Sequence, residues 1–167
     1  MEILIPEYKI ERRVRAMAHR LSEEHKNSGN SLPPVMICVL NGGFMFFADL
    51  VRDMGIDVEI DFVRPKSYIG QDRSDVVTFT KDIEVSVKGK RVYIVEDIVD
   101  TGNTIIEILQ RLAGFGATDI KIVTLIQRKD THMPVDHFCF EVGQEWIKCG
   151  YGFDDNGLCR NYRNIYV

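Results

Sequence analysis

The sequence predicts an α/β chain with a mostly parallel, twisted sheet flanked by helices. Two observations lead there. Apolar runs at 35–40, 92–95 and 120–126, largely β-branched, read as strands buried on both faces. Stretches with apolar residues at helical spacing lie between them, the alternation that covers both faces of a parallel sheet.

The elements follow in order. Residues 8–26 are rich in charge, with Ile10, Val14, Met17, Ala18 and Leu21 on one helical stripe, and Asn27-Ser28-Gly29-Asn30 stops the helix. The first buried strand, 35–40, is broken by Asn41-Gly42-Gly43, and helical spacing returns over 44–54. Residues 56–63 alternate, Val58, Ile60 and Phe62 against Asp57, Glu59 and Asp61, which predicts a half-exposed strand. Residues 64–75 are polar and turn-rich. Short strands are expected at 76–80 and 83–87, with Lys88-Gly89-Lys90 turning into the next strand. That strand, opening at Val92, leads into a helix carrying Ile105, Ile106, Ile108, Leu109 and Leu112, ended by Gly114-Phe115-Gly116. A buried strand at 120–126 and short candidates at 138–140 and 147–151 complete the chain.

At 167 residues, with 45% apolar and 28% charged content, the chain fits one globular domain, 1–167, with no linker, repeat or low-complexity tract. A net charge of −4 argues against a general nucleic-acid or membrane-surface binder. There is no 18-residue apolar run and no basic segment followed by a long apolar one at the start, so neither a membrane span nor a signal peptide is expected. Cys38, Cys139, Cys149 and Cys159 form no Cys-x-x-Cys pair and read as reduced structural thiols of a cytoplasmic protein. His19, His25, His132 and His137 show no metal-ligand spacing.

The chemistry concentrates in Glu96-Asp97-Ile98-Val99-Asp100-Thr101-Gly102-Asn103-Thr104. A loop bearing hydroxyls and a glycine at a helix start holds an anion through backbone amides and the helix dipole. Carboxylates beside a phosphate are repulsive unless they bind sugar hydroxyls or Mg²⁺. The expected ligand is a phosphorylated sugar with a metal, lying beyond the strand ends at a topological switch point.

This run resembles the phosphoribosyl-diphosphate (PRPP) signature of type I phosphoribosyltransferases, and its wording is most similar to the hypoxanthine-guanine branch. The resemblance extends from about Ile5 to Val167. It implies that family's fold, with a small hood formed by the chain ends, and a homodimer or homotetramer. Asp100, Thr101, Gly102, Asn103 and Thr104 would take the PRPP phosphate, and Glu96 and Asp97 the ribose and Mg²⁺. Asn41, Gly42 and Gly43 resemble the pyrophosphate loop, whose cis peptide would fall at Leu40–Asn41. Many relatives carry lysine where Asn41 stands, so amides would bear more of the load here. Lys66, Ser67 and Tyr68 resemble the lid that closes over the reaction centre. Arg128 takes the place of a lysine that donates to the purine O6, and it is not a neutral swap. The aromatic that stacks on the base is expected seven residues before a metal-binding aspartate, here Asp154. Ile147 stands there, with Trp146 one residue earlier; an aromatic face favours Trp146. The backbone near Lys148 would read the base edge, and Arg160 resembles a late arginine on pyrophosphate.

The implied reaction is purine salvage. PRPP and hypoxanthine or guanine, with xanthine as a third candidate base, give IMP or GMP and pyrophosphate, with Asp100 facing N7 as the proton acceptor. Two other readings compete: a phosphoribosyltransferase for adenine, uracil or orotate, and a non-catalytic PRPP-sensing regulator. The purine-type signature opposes the first. The second requires a nucleic-acid surface that this acidic chain lacks.

Overall fold

The structure is a computed structural model and describes residues 1–68 and 76–167. Its elements are β1 (Ile3–Ile5), α1 (Glu7–Asn27), β2 (Val35–Val39), α2 (Phe44–Asp53), β3 (Glu59–Tyr68), β4 (Val76–Lys81), β5 (Arg91–Val99), α3 (Asn103–Gly114), β6 (Asp119–Arg128), β7 (His137–Val142) and β8 (Ile165–Tyr166). Six strands form one sheet in the order β4-β3-β2-β5-β6-β7. Every pairing in it is parallel except β3 with β4.

The central strands read as unbroken apolar runs because both faces are covered. Met36 and Cys38 of β2, with Tyr93 and Val95 of β5, point into a core with α1 and α2. Their neighbours Val35, Ile37, Val92 and Ile94 point into a second core with Ile105, Ile108 and Leu112 of α3. Each such fully buried aliphatic side chain contributes roughly 1.5–3 kcal/mol. The expected strands at 35–40, 76–80, 92–95, 120–126 and 138–140 and the three helices are all present, within a few residues at their ends.

Three local expectations are corrected. The alternation at 56–63 places Ile60 inside and Asp61 outside, yet Ile60 is 48% exposed and Asp61 only 5%. The Asp61 carboxylate accepts the backbone N–H groups of Phe62 (2.8 Å), Glu84 (2.6 Å) and Val85 (3.0 Å) and pairs with Lys81 Nζ at 3.0 Å. For the same reason residues 83–87 are not a strand: side-chain acceptors have replaced a ladder, while Ile83 and Val87 still fill the second core. The candidate at 147–151 makes only isolated bridges, Cys149 with Tyr166 and Gly150 with Phe153. Those bridges join the antiparallel pair β1–β8, which brings the two chain ends together where the family resemblance implies a small hood.

Candidate active site

The sheet contains a switch point. β2 leads through α2 to β3 on one side, and β5 leads through α3 to β6 on the other, while β2 and β5 are neighbours. The chain therefore parts in opposite directions above their C-terminal ends and opens a crevice there. Asn41, Gly42 and Gly43 follow β2, and Leu40–Asn41 is a cis peptide. β5 runs on through Ile98 and the buried Val99, so Glu96 and Asp97 lie within the strand, just short of its end.

The two segments touch through Gly42. A Cβ at position 42 would stand 1.9 Å from Asp97 Oδ2. Across the crevice Gly152, at φ +102°, is as close: its Cβ would meet the Gly42 carbonyl oxygen at 2.1 Å. Glu96 is buried and Asp97 half-buried. The Asp97 N–H donates to Glu96 Oε1 (3.1 Å), and the Ile98 N–H to Asp97 Oδ1 (2.8 Å). Burial, reinforced for Glu96 by the Asp97 charge, holds both carboxyls above their usual range, so the pair resists full ionisation. The Arg160 charge pulls Asp97 part of the way back. Two hard carboxylates, one buried and one half-buried, in want of positive charge fit a divalent cation such as Mg²⁺, completed by substrate oxygens and water.

Arg160 ties the C-terminal hood to this pair. It donates to the Gly152 carbonyl (2.6 Å) and pairs with Asp154 at 2.5 Å; Asp154 also accepts the Gly157 N–H at 2.7 Å. Asp154 is thus engaged by Arg160 rather than gathered with Glu96 and Asp97. Among the described residues no three His, Cys, Asp or Glu side chains converge as a ready metal site.

Beyond β5, Asp100, Thr101 and Gly102 form the loop into α3. Gly102 caps the helix at φ +83°, and a Cβ there would also strike the Met133 side chain at 2.6 Å. The helix start has no side-chain cap and no acidic residue in its first turn. Its amides, with Thr101 and Thr104, offer donors to an anion. The loop is braced from the far side by Thr131, whose hydroxyl donates to the Asp100 carbonyl (2.6 Å) and accepts the Met133 N–H (3.2 Å). Thr131, Met133 and Gly152 carry no motif, and nothing in their own neighbourhood marks them.

The remaining expected residues fall as follows. Arg128 closes β6, and its Nη1 donates to the carbonyls of Gly143 (2.8 Å) and Glu145 (2.7 Å). Trp146 is 81% exposed and Ile147 packs partly against the first core. The Lys148 N–H donates to the Tyr166 carbonyl at 2.8 Å. Lys66, Ser67 and Tyr68 end β3 opposite Thr78, Val77 and Val76. Of the expected lid, the side chains of Ser67 and Tyr68 and all of residues 69–75 lie outside the described residues.

A 310 Å³ cavity lined by Glu7, Met45, Asp49 and Tyr151, and a 600 Å³ groove lined by Arg13, Arg20 and His137, include none of Glu96, Asp97 or Asp100. Neither includes the adjacent pair Glu96–Asp97 or the start of α3, so the chemistry points to the switch-point crevice. All four cysteines are free, and burial pushes the Cys38 thiol beneath the crevice up to about 12, far from a nucleophile. No helix among the described residues is long and apolar enough to cross a membrane.

Residues 7–156 match the family described as phosphoribosyl transferase domain. The chain is 33% identical over 169 residues to the hypoxanthine phosphoribosyltransferase of Escherichia coli (strain K12), covering 99% of this chain and 92% of that one. It is 35% identical over 162 residues to the hypoxanthine-guanine-xanthine phosphoribosyltransferase of Tritrichomonas foetus, with coverages of 95% and 84%. The hypoxanthine phosphoribosyltransferase of Trypanosoma cruzi, solved in complex with the product IMP, superposes with a TM-score of 0.90 at 31% identity, over 100% of this chain and 93% of that one.

Proposed function

This chain belongs to the phosphoribosyltransferase family, and from that premise we propose that it transfers the 5-phosphoribosyl group of PRPP to N9 of hypoxanthine or guanine. The observation that carries the reading is the contact of Asp97 with Gly42 beside the uncapped start of α3. It brings a sugar-binding carboxylate pair, a close-approach turn and an anion site to one crevice.

The residues divide the substrate between them. The 5′-phosphate lies on the first-turn amides of α3 and the Thr101 and Thr104 hydroxyls. Glu96 and Asp97 accept hydrogen bonds from the ribose hydroxyls. Pyrophosphate rests against the amides of Asn41, Gly42 and Gly43, with Arg160 supplying positive charge from the hood. Glu96 and Asp97, joined by Asp154 once Arg160 turns to the pyrophosphate, would hold Mg²⁺, and the ion would supply charge neutralisation there.

As the C1′–O bond breaks, its electron pair leaves with pyrophosphate and C1′ becomes cation-like. The loop amides, fixed in advance, stabilise the charge gathering on the leaving group. The purine N9 donates its electron pair to C1′, and Asp100 takes the proton lost from the imidazole ring at N7. Thr131 holds the Asp100 backbone in place for this role. Trp146 or Ile147 covers the base face. The carbonyl side of the Lys148 peptide meets the base edge, since its N–H is committed to Tyr166. Lys66, Ser67 and Tyr68 close over the centre and keep water from the cation-like sugar. The chain works as a homodimer or homotetramer in the cytoplasm.

A spectrophotometric assay with PRPP, Mg²⁺ and hypoxanthine, guanine, xanthine or adenine tests the reading. Turnover of hypoxanthine or guanine and not adenine is expected. Turnover of adenine alone, or of no purine, would overturn the base assignment.

A further inference from the structure

We propose that Arg128 is a positioning residue for base binding: it staples the carbonyls of Gly143 and Glu145 in the loop after β7 and so sets the segment that carries Trp146 and Ile147 against the purine. The inference deepens the transferase reading above and rests on it.

The geometry is specific. One nitrogen of the guanidinium donates to both carbonyls, at 2.8 and 2.7 Å, and so bridges over Gln144 to fix the chain immediately before Trp146. Three further ties join the ends of β6 and β7 at the same place. The Lys129 N–H donates to the Val142 carbonyl (3.0 Å), Gln127 reaches Glu141 (3.5 Å), and the Gln144 amide bonds the Asp130 carboxylate. On the other side of the segment the Lys148 N–H is held by Tyr166. Residues 146 and 147 are therefore a two-residue span anchored at both ends, one anchor being a side chain.

The chemistry explains why an arginine suits this position. Nη1 carries two of the five guanidinium N–H groups, which satisfy the two carbonyls, and Nε and Nη2 keep three donors free for other partners. A lysine ammonium at the end of a flexible stem would have to divide a single nitrogen between the staple and a base. The fork separates the two tasks, and its planarity preserves the spacing of the carbonyls.

Trp146 is the sole tryptophan of the chain and 81% exposed, so it reports on this segment without any ligand. The experiment compares Trp146 fluorescence anisotropy and acrylamide quenching in the ligand-free wild type, R128K and R128M, followed by kcat and KM for base and PRPP. For R128M, lower anisotropy, stronger quenching and a base KM raised ~10-fold or more are expected, with kcat and the PRPP KM within ~3-fold. R128K, which retains the charge, should recover part of both losses. Unchanged anisotropy in R128M, or an unchanged base KM, would overturn the proposal. So would full recovery in R128K, because a single ammonium would then suffice. The fluorescence arm needs no turnover, so failure of the transferase reading would show separately as a wild type that converts no purine.

Discussion

The carboxylate of Asp97 lies where the Cβ of any residue but glycine at position 42 would have to stand, 1.9 Å from that point. Gly42→Ala forces either the turn or the carboxylate to move, and both belong to the proposed substrate cradle. A loss of ~10²-fold or more in kcat/KM is expected, since displacements of this size misalign the reacting groups. Steady-state kinetics with PRPP and hypoxanthine measure it. Near wild-type kcat/KM would show that the turn tolerates the shift.

Asp97→Asn separates stability from function at the same contact. Burial raises the folded-state carboxyls of Glu96 and Asp97 above the ~4 of an unfolded chain. Their protonated forms are thus favoured by folding, and this contribution is lost as pH rises through the folded values. The amide removes one of the two charges. Thermal unfolding without metal at pH 8 should show a midpoint raised by about 2–5 °C, with turnover lost. A lowered midpoint would mean that the Asp97 charge already has enough compensation within the chain.

Asp100→Asn keeps the shape of the loop and removes a proton acceptor. Turnover should fall ~10²–10⁴-fold if that group takes the N7 proton. Equilibrium binding of PRPP should change little, because the amides of α3 are untouched. Wild-type turnover in this variant would exclude Asp100 from the role.

Asp61→Asn addresses the fold rather than the site. Burial alone would raise this carboxyl, but the N–H groups of Val85, Glu84 and Phe62 and the Lys81 ammonium outweigh it and hold it low. Its stabilisation is present above the unfolded value of ~4 and is lost as pH falls through the folded one. The amide should cost about 2–3 kcal/mol at neutral pH, read by urea unfolding. The wild type should converge towards the variant as pH falls from the unfolded value through the lower folded one. Parallel curves at all pH values would show that the ionised form is not what matters.

The crevice proposed to hold phosphate was legible as a strand, an acidic pair and a helix start because these are contiguous within the run from Val92 to Thr104. The buried strands were legible because coverage on both faces leaves no polar alternation to confuse with a helix. What could not be read depends on partners far along the chain. Gly152 against Gly42, Thr131 behind Asp100 and the β1–β8 register inside the expected hood are each set by the tertiary fold. Asp61 misled the face of β3 because a buried acceptor for distant amides has the same local pattern as a solvated one.

The pairing of β1 with β8 bears on how this chain matures as it is made. Ile3 and Ile5 lie opposite Tyr166 and Ile165, Glu2 and Val167 exchange backbone hydrogen bonds, and the Glu7 N–H reaches Asn164 Oδ1. β1 therefore waits for β8, which is made much later. The central sheet, with its carboxylates and helix start, can assemble while synthesis is still under way. The hood that carries Arg160 closes only when residues 165 and 166 meet β1, so the proposed phosphate cradle can form before the proposed purine site.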